Sequence, residues 1–377
     1  MDIQKNNILW IKGWKDTNWW VFGLVLGIVL FGVLMIYSAS SYNAEKNFGD
    51  SMYFVYKQLI GVGLGVVGMI VCSKINYKVL LKLMYPALIV GVGVLVVVLI
   101  PGVGIELYGA RRWIGVGGMS FQASEIAKFA FIIFASGYMA KNYEKMTSFW
   151  GPMPVLGAGG LMCVLIMLEP NMSVTICMGV LMLTLVLIGG MRIKHLSICA
   201  TPMLAVVPLL ILVEPYRMKR LMAFVDPWAS PQGEGFQLIQ SLYALGNGGL
   251  FGVGLFNSRQ KYSFLPFSES DFIFSIIGEE LGFVGGIILI LLFGVLVWYG
   301  FRVARRAKDR FGCYLVVGIS TIIAVQVLLN IAVVTGAVPP TGLPLPFISA
   351  GSTSLIMFMS AIGVVLNVDR QSRKNLI

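Results

Sequence analysis

Residues 271–300 read DFIFSIIGEELGFVGGIILILLFGVLVWYG. Asp271 opens the stretch, Glu279 and Glu280 follow two turns later, and no charged residue occurs from Leu281 to Gly300. At a rise of about 1.5 Å per residue, a helix of this length crosses the roughly 30 Å hydrocarbon core of a bilayer. Arg302, Arg305, Arg306, Lys308 and Arg310 come directly after it. The stretch therefore reads as a membrane span with acids near one mouth and a basic flank at the other. A carboxylate is not stable as an ion in hydrocarbon, so at least one of the three acids faces a wet cavity or a cation.

The same kind of run recurs along the chain, at 19–40, 55–73, 80–100, 124–140, 152–168, 172–190, 196–213, 312–335 and 348–367. Of the 377 residues, 58% are hydrophobic and 12% charged. A soluble domain carries about 25% charged residues, and a water-soluble fold could not hide this much apolar surface. The expectation is an all-α polytopic membrane protein of about ten spans, folded as one domain over 1–377. A tail at 1–18, a large loop at 215–271 between spans 7 and 8, and a tail at 368–377 complete it. The first run, Trp19 to Ile36, is too long for a signal-peptide core and reads as a retained span.

Charge sets the orientation. With the N-terminus in the cytoplasm, 18 of the 28 Lys and Arg fall in inner segments, each of which holds at least two. Both termini are then cytoplasmic and the 215–271 loop is extracytoplasmic. The other ten basic residues lie outside, eight of them in the stretches 101–128 and 215–271. The positive-inside tendency disfavours them there, which points to an anionic ligand. Although the net charge is +11, no stripe of basic and aromatic residues faces water, so nucleic acid is not an expected partner. The five cysteines are odd in number, contain no CxxC pair and read as buried hydrophobes. His195, the single histidine, lies in a short basic connector and reads as a solvated neighbour of those charges.

In the first outer stretch, Arg111 and Arg112 stand beside Trp113, a pairing that suits either phosphate binding or anchoring at the membrane interface. Ser124 can cap the following helix, where Glu125 and Lys128 are three residues apart and can pair. The second stretch carries Arg217, Lys219 and Arg220, then Asp226-Pro227, Gln240-Ser241, the glycine-rich passage 246–254, Arg259, Lys261 and Asp271. Residues 232–245 have the spacing of a short amphipathic helix at the membrane surface. Asp271 reads as a site acid or as an N-terminal acid favoured by the helix dipole. Glu279 and Glu280 read as site groups or as a buried partner for a basic residue. Four prolines between Val338 and Phe347 preclude a regular helix, leaving a rigid loop that lines a lipid groove or fixes the bundle.

Taken together and in order, these motifs resemble the SEDS family of shape, elongation, division and sporulation proteins. The likeness runs from Met35-Ile36-Tyr37-Ser38-Ala39-Ser40 to Thr341-Gly342-Leu343-Pro344-Leu345-Pro346-Phe347. It is carried most by Gly109 to Ile114, Ser124-Glu125 with Lys128, Asp226-Pro227, Gln240-Ser241-Leu242, Asp271-Phe272-Ile273-Phe274 and Gly278-Glu279-Glu280-Leu281-Gly282. The wording is nearer the division and sporulation branches than the elongation branch. The resemblance implies polymerisation of lipid II, a disaccharide-pentapeptide on undecaprenyl diphosphate, at the outer face of the bacterial cytoplasmic membrane. It places the family's essential aspartate on Asp271. It also implies a class B penicillin-binding protein and other division proteins as partners, and a septal location. Three departures stand out. Asn171 replaces an acid, Phe267 and Glu269 replace the usual residues before the aspartate, and Ala350-Gly351-Ser352 replaces Tyr-Gly-Gly.

On this reading Asp271 is the base, and Arg111, Arg112, Glu125, Lys128, Arg217, Arg220, Gln240, Ser241, Lys261, Glu279 and Glu280 form the substrate-binding set. Arg112, Arg217, Arg220, Lys128 and Lys261 are candidates to stabilise the departing diphosphate, alone or with a divalent cation such as Mg or Mn. The competing readings are a lipid II transporter and a non-enzymatic scaffold of the division complex.

Overall fold

A computed structural model describes residues 18–107, 110–116, 119–202 and 215–373. In chain order its helices are α1 (Trp19–Phe48), α2 (Tyr53–Lys74), α3 (Lys78–Lys82), α4 (Met84–Leu99), α5 (Ala123–Lys141), α6 (Met153–Leu168) and α7 (Met172–Ile188). Then come α8, described over 193–202, and α9 (Pro215–Val225), α10 (Phe236–Gly248), α11 (Ile273–Arg306), α12 (Arg310–Val334) and α13 (Ser352–Arg373). Six of these, α1, α2, α5, α11, α12 and α13, are long and apolar enough to cross a membrane, and α4, α6 and α7 are shorter apolar helices. Most of the seventh expected span, and the tails 1–17 and 374–377, lie outside the described residues. The surface helix expected at 232–245 is α10, beginning and ending a few residues later.

The all-α expectation needs one correction. Strands β1 (Gly104–Leu107), β2 (Ala110–Val116) and β3 (Met119–Gln122) form an antiparallel sheet in the order β1-β2-β3. Trp113 lies opposite Gln122 and Ile114 opposite Phe121. The sequence signal was present: short runs with β-branched and aromatic residues, separated by two-residue glycine-containing connections. The apolar runs on either side obscured it. Pairing gives the backbone hydrogen-bond partners beside a membrane mouth, where an irregular loop would leave its amides unpaired. β3 leads directly into α5.

Helix ends follow local chemistry. Gly49 stops α1 in a left-handed conformation (φ 71°), its N–H donating to Glu45 O. Asn171 caps α7 by accepting from Val174 N, and Asp309 caps α12 by accepting from Gly312 N at 2.7 Å. All the segments assigned to the outside meet at one end of the bundle. Ser263 donates to Asn43, Thr353 to Ser120 O, Gln58 to Ser349 O and Ala350 N to Glu269 O. The opposite end is tied by Tyr77 to Asp309 at 2.6 Å, by Tyr299 to Asp369 at 2.8 Å, and by Asn367, which donates to Ser73 O and Ile75 O.

Small residues set the closest helix contact. Gly61, Gly65 and Gly68 of α2 face Ser352, Met359 and Ser360 of α13, and Gly363 of α13 lies against the backbone of Met69. Without a hydrophobic drive between helices in lipid, such close backbone approach supplies the attraction. Gly363→Val should cost about 1–3 kcal/mol by overpacking. Its thermal unfolding in detergent should come at a lower temperature, while Gly63→Ala, at a position that meets open space, should unfold like the parent.

Candidate functional site

Asp271 sits in the turn that leads into α11, half-buried at the end of the bundle where the outer segments meet. Its backbone is fixed from three sides. Asn330 of α12 donates to Asp271 O at 2.8 Å, Ser349 donates to Ser270 O at 2.5 Å, and Ser270 N and Phe272 N donate to Phe267 O. Phe267 holds a left-handed φ of 55°, uncommon for a bulky residue, as part of that turn. Gly342 covers the carboxylate so closely that a Cβ there would lie 3.1 Å from Asp271 Oδ2.

Burial, foremost, and the charge of Glu269 push the Asp271 carboxyl up to about 6; Arg220, Arg112 and a hydrogen bond from Ser270 oppose the rise. Glu269 is itself raised by burial. Arg112 and Arg220, both half-buried, therefore lie within electrostatic reach of the aspartate although they come from β2 and α9. Arg112 donates to Glu169 O at 3.0 Å and to Pro170 O, tying β2 to the α6–α7 connection. Arg220 donates to Pro340 O at 3.3 Å. Alternation along β2 sends Arg111 the other way, where it pairs with Glu106 at 3.0 Å. Arg217 and Gln240 are half-buried on α9 and α10.

The other expected residues lie in two buried networks behind this mouth. In the first, Lys128 and Glu125 pair at 2.6 Å with 0% and 1% of their side chains exposed. Lys128 also donates to Gln326 Oε1 at 2.8 Å, and Gln326 donates to Pro344 O at 2.9 Å. Asn330 donates to Leu343 O at 2.7 Å as well as to Asp271 O. The pair thus buttresses the proline-rich loop that carries Gly342. In the second, Glu279 accepts from Ser258 Oγ, Arg259 N and Gln260 N. Glu280 accepts from Ser38 at 2.6 Å and pairs with Lys261 at 3.4 Å. Ser241 donates to Val334 O at 2.7 Å and lies 2.8 Å from Ser275 Oγ, seating α10 on α11 and α12.

Sequence reading missed Gln326 and Asn330. They stand four apart in a span that carries no charge from Phe311 to Val334 and so share one helix face, which was a usable signal. It also missed Glu169, whose carboxylate is fully buried with no hydrogen-bond partner for either oxygen among the described residues. Burial pushes this acid up to about 8, against the pull of Arg112.

The fold and site define a polytopic membrane protein with a half-buried carboxylate at one membrane face, flanked by two arginines and a proline-rich loop. The family model for cell cycle proteins that groups FtsW, RodA and SpoVE matches residues 18–374. "Stage V sporulation protein E" of Bacillus subtilis is 42% identical over 93% of this chain and 96% of its own. "Probable peptidoglycan glycosyltransferase FtsW" of Trichlorobacter lovleyi is 39% identical over 92% of this chain and 91% of its own. Among solved structures, a chain of a peptidoglycan synthase complex that coordinates polymerization and crosslinking superposes with a TM-score of 0.78 at 27% identity, over 96% of this chain and 100% of that one. The rod-shape-determining protein RodA of Thermus thermophilus gives 0.69 at 25% identity, over 96% and 99%. The chain belongs to the FtsW/RodA/SpoVE family, also called SEDS.

The Glu125–Lys128 pair gives a direct test of the buttress. Lys128→Met leaves Glu125 buried without its cation and should cost about 3–5 kcal/mol. Adding Glu125→Leu should recover most of the loss in thermal unfolding. A double variant no more stable than Lys128→Met would show that the pair does not work as a unit.

Proposed function

We propose that this chain polymerises lipid II into β-1,4-linked glycan strands at the outer face of the bacterial cytoplasmic membrane, in division or sporulation. The observation that carries the reading is Asp271, half-buried and raised to about 6, with Arg112 and Arg220 in electrostatic reach. A base works best with a pKa near the working pH, and such help is worth about 10²–10⁴-fold. Asp271 takes the proton from the acceptor's sugar 4-hydroxyl. That oxygen bonds to the anomeric carbon of the growing chain as the bond to undecaprenyl diphosphate breaks. The electron pair leaves on the diphosphate, and one displacement inverts an α-linked donor to a β product.

In this reading Arg112 and Arg220 receive the diphosphate charge. In this reading Glu125, Lys128, Ser241, Lys261, Glu279 and Glu280 position the mouth from behind, and Arg111, Arg217 and Gln240 line its approaches. No cluster of three or more metal-ligating side chains occurs among the described residues. Glu269, next to the base, nevertheless offers a carboxylate of the kind that Mg takes beside substrate phosphates. A cation held there would neutralise the leaving group. The partner that fits is a class B penicillin-binding protein that cross-links the new strands, at the septum.

Purified protein in detergent with lipid II tests this, because flipping has no meaning there and polymer does. Asp271→Ala should abolish polymer while expression and membrane insertion stay normal; polymer at the parent rate would refute the assignment. Because the base must be ionised, kcat/KM of the parent should fall about tenfold per pH unit below about 6 and level off above it. Arg112→Ala should weaken lipid II use more than it lowers the unfolding temperature; equal losses would make it an anchor of the α6–α7 connection only.

A further inference from the structure

The inner end of α11 carries a cleft that the chemistry at Asp271 does not use. It has a volume of about 500 Å³ and is lined by Trp298, Arg302, Arg305 and Arg306. At 100° per residue these four side chains fall within an arc of about 100° on the helix surface. The same arc continues outward through Val284, Ile288, Leu291 and Val295, which are 40–62% exposed on an apolar helix and so face lipid. The arginines therefore point towards the bilayer and away from the bundle. Trp298, 51% exposed, stands two turns in from the helix end, the depth at which an indole anchors at the headgroup boundary. The Arg302 guanidinium lies over its ring, 5.2 Å from the centroid.

The positive-inside tendency explains why basic residues occur at this end, but it is indifferent to the side of the helix they occupy. Here three guanidinium groups converge on one cleft, and none pairs with a carboxylate among the described residues. Arg310, four residues further on, does not line this cleft and stacks instead on Tyr143. Three guanidinium groups without a carboxylate partner among the described residues, at headgroup depth and below an apolar stripe, complement a phosphate that carries acyl chains. Their planar forks suit bidentate binding of phosphate oxygens.

We infer that this cleft binds the headgroup of an anionic phospholipid of the cytoplasmic leaflet, with its acyl chains along the Val284–Val295 face of α11. Such a lipid would secure the inner end of the helix whose outer end begins beside Asp271. The inference rests on the orientation read from charge and not on the glycosyltransferase reading.

Native mass spectrometry of the full chain in detergent, titrated with phosphatidylglycerol or phosphatidylcholine, tests it. Each arginine at an anionic surface is worth about five-fold in affinity. The parent should therefore prefer phosphatidylglycerol by about ten-fold or more, and R302Q/R305Q/R306Q should bind the two lipids alike. No preference in the parent, or an undiminished one in the triple variant, would overturn the inference. A second reading does not depend on the variant folding. The parent is placed in phosphatidylcholine vesicles doped with photoactivatable phosphatidylglycerol and irradiated. Adducts on the segment from Val284 to Arg306 support the site, and adducts confined to other helices overturn it.

Discussion

A helix that crosses lipid must satisfy every backbone amide and carbonyl itself, and α11 does not. Gly282 (φ 69°, ψ −170°) breaks it one-quarter of the way along. The glycine-rich segment 249–254 repairs the break. Val253 N and Gly254 N donate to Glu279 O and Glu280 O, while Phe283 N and Val284 N donate to Gly249 O and Leu250 O. A Cβ at Gly252 or Gly282 would collide with the opposing backbone, so both positions require glycine. The two acids just before the break then bind the rest of the loop through their side chains. Glu279 accepts from the N–H groups of Arg259 and Gln260 and from the Ser258 hydroxyl, and Glu280 joins Ser258 N, Lys261 and Ser38 of α1. Helix and loop form a single unit, and that unit sets where α11 begins.

Asp271 stands at that beginning. Its surroundings come from segments far apart in the chain: β2, α9, α12 and the loop at 339–349. Each is held by a polar contact to backbone, chiefly from Arg112, Arg220, Gln326, Asn330 and Ser349. Because side chains clamp carbonyls, the mouth keeps its shape without regular structure in the proline-rich loop. The electrostatics are a contest between burial and Glu269 on one side and the two arginines on the other. Burial prevails, which raises the carboxyl to about 6.

The departures from the family wording acquire physical meaning here. Asn171 accepts from Val174 N at 3.4 Å, so it does the capping work that an aspartate would do at the start of α7, without the charge. Glu269 places a second acid beside Asp271 and helps raise it. Phe267 adopts the left-handed turn on which the Ser270 and Phe272 amides close. Nothing in the structure explains the replacement of Tyr-Gly-Gly by Ala350-Gly351-Ser352.

Spans, the basic flanks and Asp271 at a helix mouth could be read directly from the chain, because hydropathy and charge act on each segment independently of its neighbours. The amphipathic α10 and the irregular proline-rich loop were legible for the same reason. The β-sheet was written in short runs and glycine connections but was masked by longer apolar neighbours. Lys128, Lys261, Glu279 and Glu280 read equally well as ligands or as internal pairs, and only the packing of α5 on α12 and of the 249–261 loop on α11 buried them. That Arg112 and Arg220 lie near Asp271 while Arg111 turns to Glu106 was likewise decided by tertiary structure. Such proximity depends on how separate helices pack together, and no local pattern in a sequence encodes it.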